Sequence, residues 1–563
     1  MKIGVNDIVD CKIGTNQVAK VYLGSNLVWE KVVVSLLLDD YPNALVAYDL
    51  RKLSSSYTGS CIEVRRASDN AIQNIGFSNN ILDTASLVTF AQGGQCFIRT
   101  LYDQSGNANN AVETTFTSQP QITDTSGVVI TKYGKPSMYW NNPSSGGASS
   151  NLTFTQVQPH TLFITQQLEV VGGAYANWLL GGSFYDYLSA SSSNPSTGTQ
   201  YLSNVNPPNS VKQGNNYLNG QLREFVQNEP NFIKRDTNFN MISMVHDSSA
   251  SRLPYASEIS KRTQSTGVQG SSTIGWRQSI IIYGTDQSAN QIAIEDNINK
   301  YYGIYPDSSK TGLLDDYPNA SVAYSLRSLN SNYRGALVKI RRLADSEEKE
   351  IFAKYDGTLN TEDLLDFIGS DDGFVTRWYD QSGNSNDLTQ VQGSLQPKLV
   401  SAGVVNLDGG KPAILYEALA DQNLEFTTRI TDNRSVFATV NPFPIDTRGY
   451  SQGLLGDDST IDYIGGSGTQ WVAQFSPDVY NGNNYINTTA TNLRTTNRVL
   501  NVKVLISMIH LNSTGKAARL SKDRGVTTRT WSGNYQELII YPSDETANLT
   551  GIQTNINTAY SIY

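Results

Sequence analysis

The chain has 563 residues, more than one hydrophobic core usually supports, so two or three domains are expected. It carries 42 Lys and Arg against 51 Asp and Glu; the net charge of −9 excludes nucleic acid as the main ligand, because neutralising phosphates takes clustered cations. Only 17% of residues are charged, and Asn, Ser, Thr, Gln, Gly and 31 Tyr supply the remaining polarity, a mix suited to polar-faced strands joined by tight turns.

No stretch is apolar for long enough to cross a membrane, and Met1-Lys2-Ile3-Gly4 leads into polar sequence without the apolar segment of a secretory signal. Neither ordinary export nor membrane insertion is therefore expected. The three cysteines, Cys11, Cys61 and Cys96, give no disulfide framework and no zinc spacing. At most Cys61 and Cys96 could pair, and free, buried thiols are the expectation.

Taken in chain order, Lys20 to Glu30 reads as a hairpin of strand, Gly24-Ser25-Asn26 turn and strand. Residues 1–31 are too few to bury a core of their own. They are expected to be a small β module that docks on a partner through Tyr22, Leu23, Val28 and Trp29. From residue 36 the sequence is then written twice. Leu37-Leu38-Asp39-Asp40-Tyr41-Pro42-Asn43-Ala44 recurs as Leu313-Leu314-Asp315-Asp316-Tyr317-Pro318-Asn319-Ala320, and Tyr102 to Asn107 as Tyr379 to Asn384. Gly134-Lys135-Pro136 recurs as Gly410-Lys411-Pro412, Ile242 to His246 as Ile506 to His510, and Ile281-Ile282-Tyr283 as Ile539-Ile540-Tyr541. Ordered matches of this kind imply gene duplication, giving copies at 36–305 and 312–563 joined by the short polar linker Pro306 to Thr311.

Within a copy, Val64 to Arg66, Phe97 to Leu101, Thr161 to Thr165 and Ser279 to Tyr283 carry β-branched or aromatic runs bounded by turn residues, so strands dominate. Helical spacing is convincing near each end, over Ser288 to Tyr302 and Thr546 to Tyr560. The sum is an all-β chain of two sandwiches, each closed by a terminal helix.

Several residues are candidates for chemistry. Asp103 and Asn107, with Asp380 and Asn384, could offer oxygens to a sugar or to calcium; as turn-capping residues after a core strand they have an equally physical role. Their spacing is not that of an EF-hand, and no cofactor is expected. Asp186, Tyr187 and Tyr217, with Asp462, Tyr463 and Tyr485, are polar-aromatic groups of the kind that bind sugars, or else edge-strand and turn residues. The adjacent pairs Arg65-Arg66 and Arg341-Arg342 point to opposite faces of a strand and read as a solvated edge. His246 and His510 end apolar runs and read as packed histidines. No repeated His beside a Ser or Cys supports a nucleophile triad.

With Leu50-Arg51, Tyr57-Thr58-Gly59, Val64-Arg65-Arg66 and Tyr102 to Asn107, the first copy resembles the catalytic domain of the fungal α-L-arabinofuranosidase B family. The second does so through Leu326-Arg327, Tyr333-Arg334-Gly335, Ile340-Arg341-Arg342 and Tyr379 to Asn384. The resemblance implies tandem concanavalin A-like (jelly-roll) sandwiches. It also implies two catalytic carboxylates, a Glu on a central strand and an Asp shortly before the last strand. The segment facing the first position, Trp471 to Asp478, holds no Glu, and Tyr201 to Asn206 in the first copy holds no carboxylate. For the second position the first copy has no Asp over Glu258 to Thr266, and the second copy offers only Asp523. The family's paired cysteines are replaced by Trp178-Leu179-Leu180 and Gly453-Leu454-Leu455. No catalytic residue is therefore assigned. Lys20 to Glu30 resembles a short module of phage structural proteins. The expectation is accordingly a non-enzymatic head or tail fibre protein of a virion, made in the host cytoplasm and released by lysis. It would be a dimer or trimer that meets other virion proteins through residues 1–31 and host-surface glycan through its sandwiches. The alternative is a glycoside hydrolase of the arabinofuranosidase type.

Overall fold

The computed structural model describes residues 35–141, 150–168, 177–181, 187–189, 213–223, 239–249, 254–260, 274–444, 453–459, 463–464, 471, 474–475, 477–513, 515–524 and 530–563. Of residues 1–34 it describes the backbone of six short strands, paired as three hairpins. The expected hairpin is the third, Lys20–Leu23 against Asn26–Glu30, with Val21 opposite Trp29 and Tyr22 opposite Leu27. Tyr22, Leu23, Val28 and Trp29 all lie on its strands, and their side chains fall outside the description.

The rest of the chain is mostly β, in antiparallel sheets whose core strands are buried on both faces. Residues Gly275–Tyr283 and Gly533–Tyr541 form matching central strands with almost every side chain buried, and both consist largely of apolar residues because neither face meets water. Each is flanked by the same neighbours. Gly275–Tyr283 pairs with Ala44–Asp49, Met138–Trp140 and Thr161–Leu168, while Gly533–Tyr541 pairs with Val322–Ser325, Ile414–Tyr416 and Ser435–Pro442. Alternation then assigns the layers. In Val504–Ile509, Val504, Ile506 and Met508 face the main core, whereas Leu505 and Ile509 face a second cluster beneath the terminal helix. The apolar clusters divide between residues up to Tyr305 and residues from Leu313 onward.

The terminal helices are Gln291–Tyr302 and Leu549–Tyr560, and they end alike. Asn299 Oδ1 accepts from the amides of Ile304 and Tyr305 at 2.9 and 3.0 Å, and Asn557 Oδ1 from those of Ile562 and Tyr563 at 2.8 and 3.0 Å. Those bonds turn the chain sharply after the helix. Two further eight-residue helices, Thr84–Ala91 and Thr361–Ile368, were not expected; each begins at a side-chain cap, Asp83 or Asn360.

The arginine pairs correct the expectation of a solvated edge. Arg66 and Arg342 do pair with surface acids, Asp69 and Asp345. Arg65 instead is buried: its Nε donates to Gln119 Oε1 at 2.8 Å and its guanidinium lies 4.4 Å from the Phe116 ring centroid. Arg341 repeats that bond to Gln396 at 2.8 Å. A planar guanidinium between rings satisfies its donors edge-on while its faces stay dry. Cys61 and Cys96 are free and buried.

Candidate functional site

The Asp-Gln-Ser-Gly-Asn turn recurs in both copies and organises each. Asp103 is nearly fully buried and its carboxylate accepts four bonds: from the amides of Ala47, Ser105 and Asn109 at 2.9, 2.9 and 3.1 Å, and from the Ser105 hydroxyl at 2.7 Å. Asp380 repeats the set with Ala323, Ser382 and Asn386. Asn107 and Asn384 donate back to the carbonyls of Ala44 and Ala320, at 2.9 and 3.0 Å. The Asp103 and Asp380 oxygens that were candidate sugar or calcium ligands are thus engaged within the turn and with the first strand, and Asn107 and Asn384 tie it there through their amide nitrogens. Among the described residues, no group of three or more His, Cys, Asp and Glu side chains could hold a metal ion.

The polar-aromatic candidates separate. Tyr217 and Tyr485 are half-buried on equivalent strands, opposite Ser243 and Ser507, and Tyr485 packs in the layer beneath the terminal helix. Tyr463 is buried in the main core, on the other face of the same sheet, where its ring lies 5.5 Å from that of His510. Asp186 and Asp462 lie outside the described residues, as does the side chain of Tyr187. His246 and His510 are buried as expected: their Nδ1 atoms lie 3.0 Å from the carbonyls of Pro159 and Asn433. Burial pushes both imidazoles down, to about 4.

A different constellation stands at a sheet edge in the second copy. Leu455–Gly456 pairs with Gly515–Leu520, with Leu455 opposite Leu520 and Gly456 opposite Arg519. The two chains run so close that a Cβ on Gly456 would sit 1.6 Å from the Lys522 carbonyl oxygen and 2.9 Å from Asp523 Cα. Only a residue without a side chain permits that approach, and it brings the backbone at Asp457 close to that at Asp523 and Arg524. The amide of Arg524 donates to the Asp457 carbonyl at 3.0 Å. Both carboxylates are buried, at 1% and 0% exposure. Arg429 grips Asp457 with two parallel bonds of 2.7 Å, Nε to Oδ1 and Nη2 to Oδ2, and Arg524 pairs with Asp523 at 3.2 Å. The fork geometry fixes the carboxylate plane as well as its charge.

Aromatic side chains wall the same edge. Trp471 stacks on Trp531 with centroids 6.5 Å apart, Trp531 meets Tyr535 at 5.6 Å, and Tyr535 meets Tyr416 at 5.2 Å. Tyr535 is anchored by a 2.7 Å bond to the Leu454 carbonyl, two residues from Gly456. Two donors in this wall, Trp531 Nε1 and Tyr416 Oη, are buried and have no hydrogen-bond partner. Such orphans are costly and call for a ligand or solvent group to complete them. Asp478, from the segment that resemblance set against the family's nucleophile, instead accepts a bond from Asn512 at 2.8 Å. Asp523 was the one carboxylate noted before the last strand. Asp457 was missed, although it lies two residues beyond Gly453-Leu454-Leu455, the stretch standing where the family has its cysteines.

The sequence model of the family described as "Alpha-L-arabinofuranosidase B, catalytic" matches the chain twice, at residues 43–131 and 315–409. A curated relative, the probable alpha-L-arabinofuranosidase B of Aspergillus terreus, is 26% identical over 171 residues, which are 27% of this chain and 31% of the relative. The chain thus matches less than a third of that relative's length. Among solved structures, an arabinofuranosidase complexed with arabinofuranosyl-α-1,2-xylobiose is 12% identical, covering 75% of this chain and 82% of that one, with a TM-score of 0.31. A mutant α-L-arabinofuranosidase soaked with 4-nitrophenyl α-L-arabinofuranoside is 14% identical, covering 68% and 88%, with a TM-score of 0.27. The chain is therefore similar to the catalytic domain of arabinofuranosidase B. The sequence matches overturn two expectations, the virion fibre and the chain without enzymatic activity, since the family they point to is one of glycoside hydrolases and no finding supports a phage origin. The carboxylates had been sought along single segments, where the strand pairing that brings the Asp457 and Asp523 backbones together does not show.

Proposed function

We propose that this chain is a glycoside hydrolase that removes α-L-arabinofuranosyl groups, and that its active site is the Asp457–Asp523 end of the second sandwich. The observation that carries the reading is that two buried carboxylates, Asp457 and Asp523, stand on backbone segments that meet at Gly456, while the wall anchored at Leu454 holds two buried, unpartnered donors, Trp531 Nε1 and Tyr416 Oη. Glycoside hydrolysis needs two carboxyl groups with different tasks. Asp523 stands shortly before the last strand, where the family resemblance sets the acid, and its task is to protonate the leaving oxygen. Asp457, held by the Arg429 fork, is the carboxylate that faces the developing positive charge on the sugar.

The same reading extends to the architecture. Each copy, 36–305 and 312–563, is a concanavalin A-like sandwich, with residues 1–31 as a separate module.

The test is release of 4-nitrophenol from 4-nitrophenyl α-L-arabinofuranoside by the full chain. Hydrolysis is expected, and Asp523→Asn should lower kcat by roughly 100-fold or more, the range for loss of a general acid. Absence of hydrolysis, or an Asp523→Asn variant as active as the parent, refutes the proposal.

A further inference from the structure

The duplication exposes a second site, because the two copies differ at one position of their terminal helices. In the first copy the ring of Tyr301 is held between two cations: the Arg51 guanidinium lies 5.2 Å and the Lys135 ammonium 4.6 Å from its centroid. The second copy keeps both cations as Arg327 and Lys411, and keeps the next tyrosine, Tyr302, as Tyr560. The residue matching Tyr301, however, is Ala559. Where the ring would be, there is a cavity of about 450 Å³ lined by Arg327, Lys411, Ala559 and Tyr560. The interdomain linker and Tyr355 wall its far side. Linker and wall are tied together, with the Asp307 amide donating to the Tyr355 carbonyl at 3.0 Å and the Lys310 ammonium 5.5 Å from the Tyr355 ring centroid.

We infer that this cavity is a binding site for a small aromatic ring of the phenol type, seated between Arg327 and Lys411 as Tyr301 is seated between Arg51 and Lys135. The chemistry on both sides of the slot favours a π-face over a saturated ring, because cations are drawn to the ring quadrupole. The volume lies within the range of small-molecule sites. The cavity is also pre-formed: Arg327 is already fixed by Glu537 Oε2 at 2.9 Å and Asn555 Oδ1 at 2.8 Å, so no cation has to be ordered when the ring enters.

The experiment is saturation-transfer NMR of phenol with the full chain, with cyclohexanol as the saturated probe. Phenol should bind on the order of millimolar, as expected for so small a ligand, and cyclohexanol about tenfold more weakly. Ala559→Tyr rebuilds the first copy's arrangement and should reduce phenol binding at least about tenfold, with no loss of thermal stability, since it fills a void with a ring the same framework accepts elsewhere. Lys411→Gln should weaken phenol several-fold without closing the cavity. No phenol binding, equal binding of cyclohexanol, or undiminished phenol binding by a folded Ala559→Tyr variant would each overturn the assignment.

Discussion

The two copies hold the same buried tyrosine–arginine–carboxylate cluster but draw the carboxylate from different strands. In the first copy Asp49 supplies it: the Tyr302 hydroxyl donates to Asp49, and Arg51 Nε lies 3.3 Å from its Oδ2, with Ser279 opposite on the central strand. In the second, Ser325 replaces Asp49 and Glu537 replaces Ser279. Glu537 accepts from Ser325 Oγ at 2.7 Å and from Arg327 Nε and Nη2 at 2.9 and 3.1 Å. The carboxylate has changed strands while the arginine and the tyrosine stayed in place. Glu537→Ser alone should therefore be severe. The side chains of Arg327 and Glu537 are only 18% and 1% exposed, and stripping one partner from a buried pair costs about 3–5 kcal/mol. In a domain of this size that lowers Tm by roughly 10 °C. Ser325→Asp alone should also destabilise, because it sets a second carboxylate against Glu537. The double variant rebuilds the first copy's arrangement and should return to within about 1 kcal/mol of the parent, a coupling of about 3 kcal/mol in the double-mutant cycle. Thermal and urea unfolding of the full chain, followed through the transition of the second sandwich, measures all four forms. A neutral Glu537→Ser, or a double variant no more stable than it, would refute the reasoning.

The buried histidines set a pH dependence. His510 has its folded pKa pushed down to about 4 by burial, so the folded state holds it neutral. Its contribution is complete above the unfolded value near 6.5 and is lost as pH falls from there toward about 4. The full loss is about 3 kcal/mol; His510→Asn, which keeps a donor for the Asn433 carbonyl, should flatten the stability–pH curve of the second sandwich across that window in urea titrations. A curve unchanged by the substitution would show that other groups dominate. Gly456→Ala should cost at least about 1–3 kcal/mol, because its Cβ would meet the Lys522 carbonyl at 1.6 Å. It should also part Asp457 from Asp523, so its hydrolysis of 4-nitrophenyl α-L-arabinofuranoside should fall further than its folded fraction does.

Much of the architecture was legible because the sequence repeats itself. Strands such as Cys96–Leu101 and Gly275–Tyr283 carry β-branched and aromatic runs that extend the expected cores by one to four residues, and the Asn299 and Asn557 caps fall inside a matched motif. The helices Thr84–Ala91 and Thr361–Ile368 were missed because eight residues span barely two turns, too few for helical spacing to stand out. Arg65 was misjudged because strand alternation says which face a residue takes and nothing about what covers that face. In the structure Gln119 and the Phe116 ring cover it. The carboxylate pair was legible only by half. Asp523 has a position relative to the last strand, whereas Asp457, the second carboxylate of the proposed site, comes from a distant segment through a ladder contact at Gly456.

The same ladder argues that the two copies do not share the chemistry. In the first copy Leu180 pairs with Ile259 and Gly181 with Glu258, as Leu455 pairs with Leu520 and Gly456 with Arg519. A glycine therefore holds this ladder position in both copies, but in the sequence the residues that follow it and the matching strand are Gly182 and Arg262, not Asp457 and Asp523. Supporting groups change in concert. Ile430 pairs with Ala517 as Val157 pairs with Ala256, and the residue just before Ile430 is Arg429, whereas Gln156 precedes Val157. The partners Tyr416 and Tyr535 give way to Trp140 and a buried Arg277 whose guanidinium lies 5.4 Å from the Trp140 ring centroid. A carboxylate site would be rebuilt in the first copy only by changing all of these together. Hydrolysis should therefore depend on the second sandwich alone: Asp457→Asn combined with Asp523→Asn should abolish it, with no residual rate from an intact first sandwich. A residual rate near half the parent's would place equivalent chemistry in both copies and refute the division.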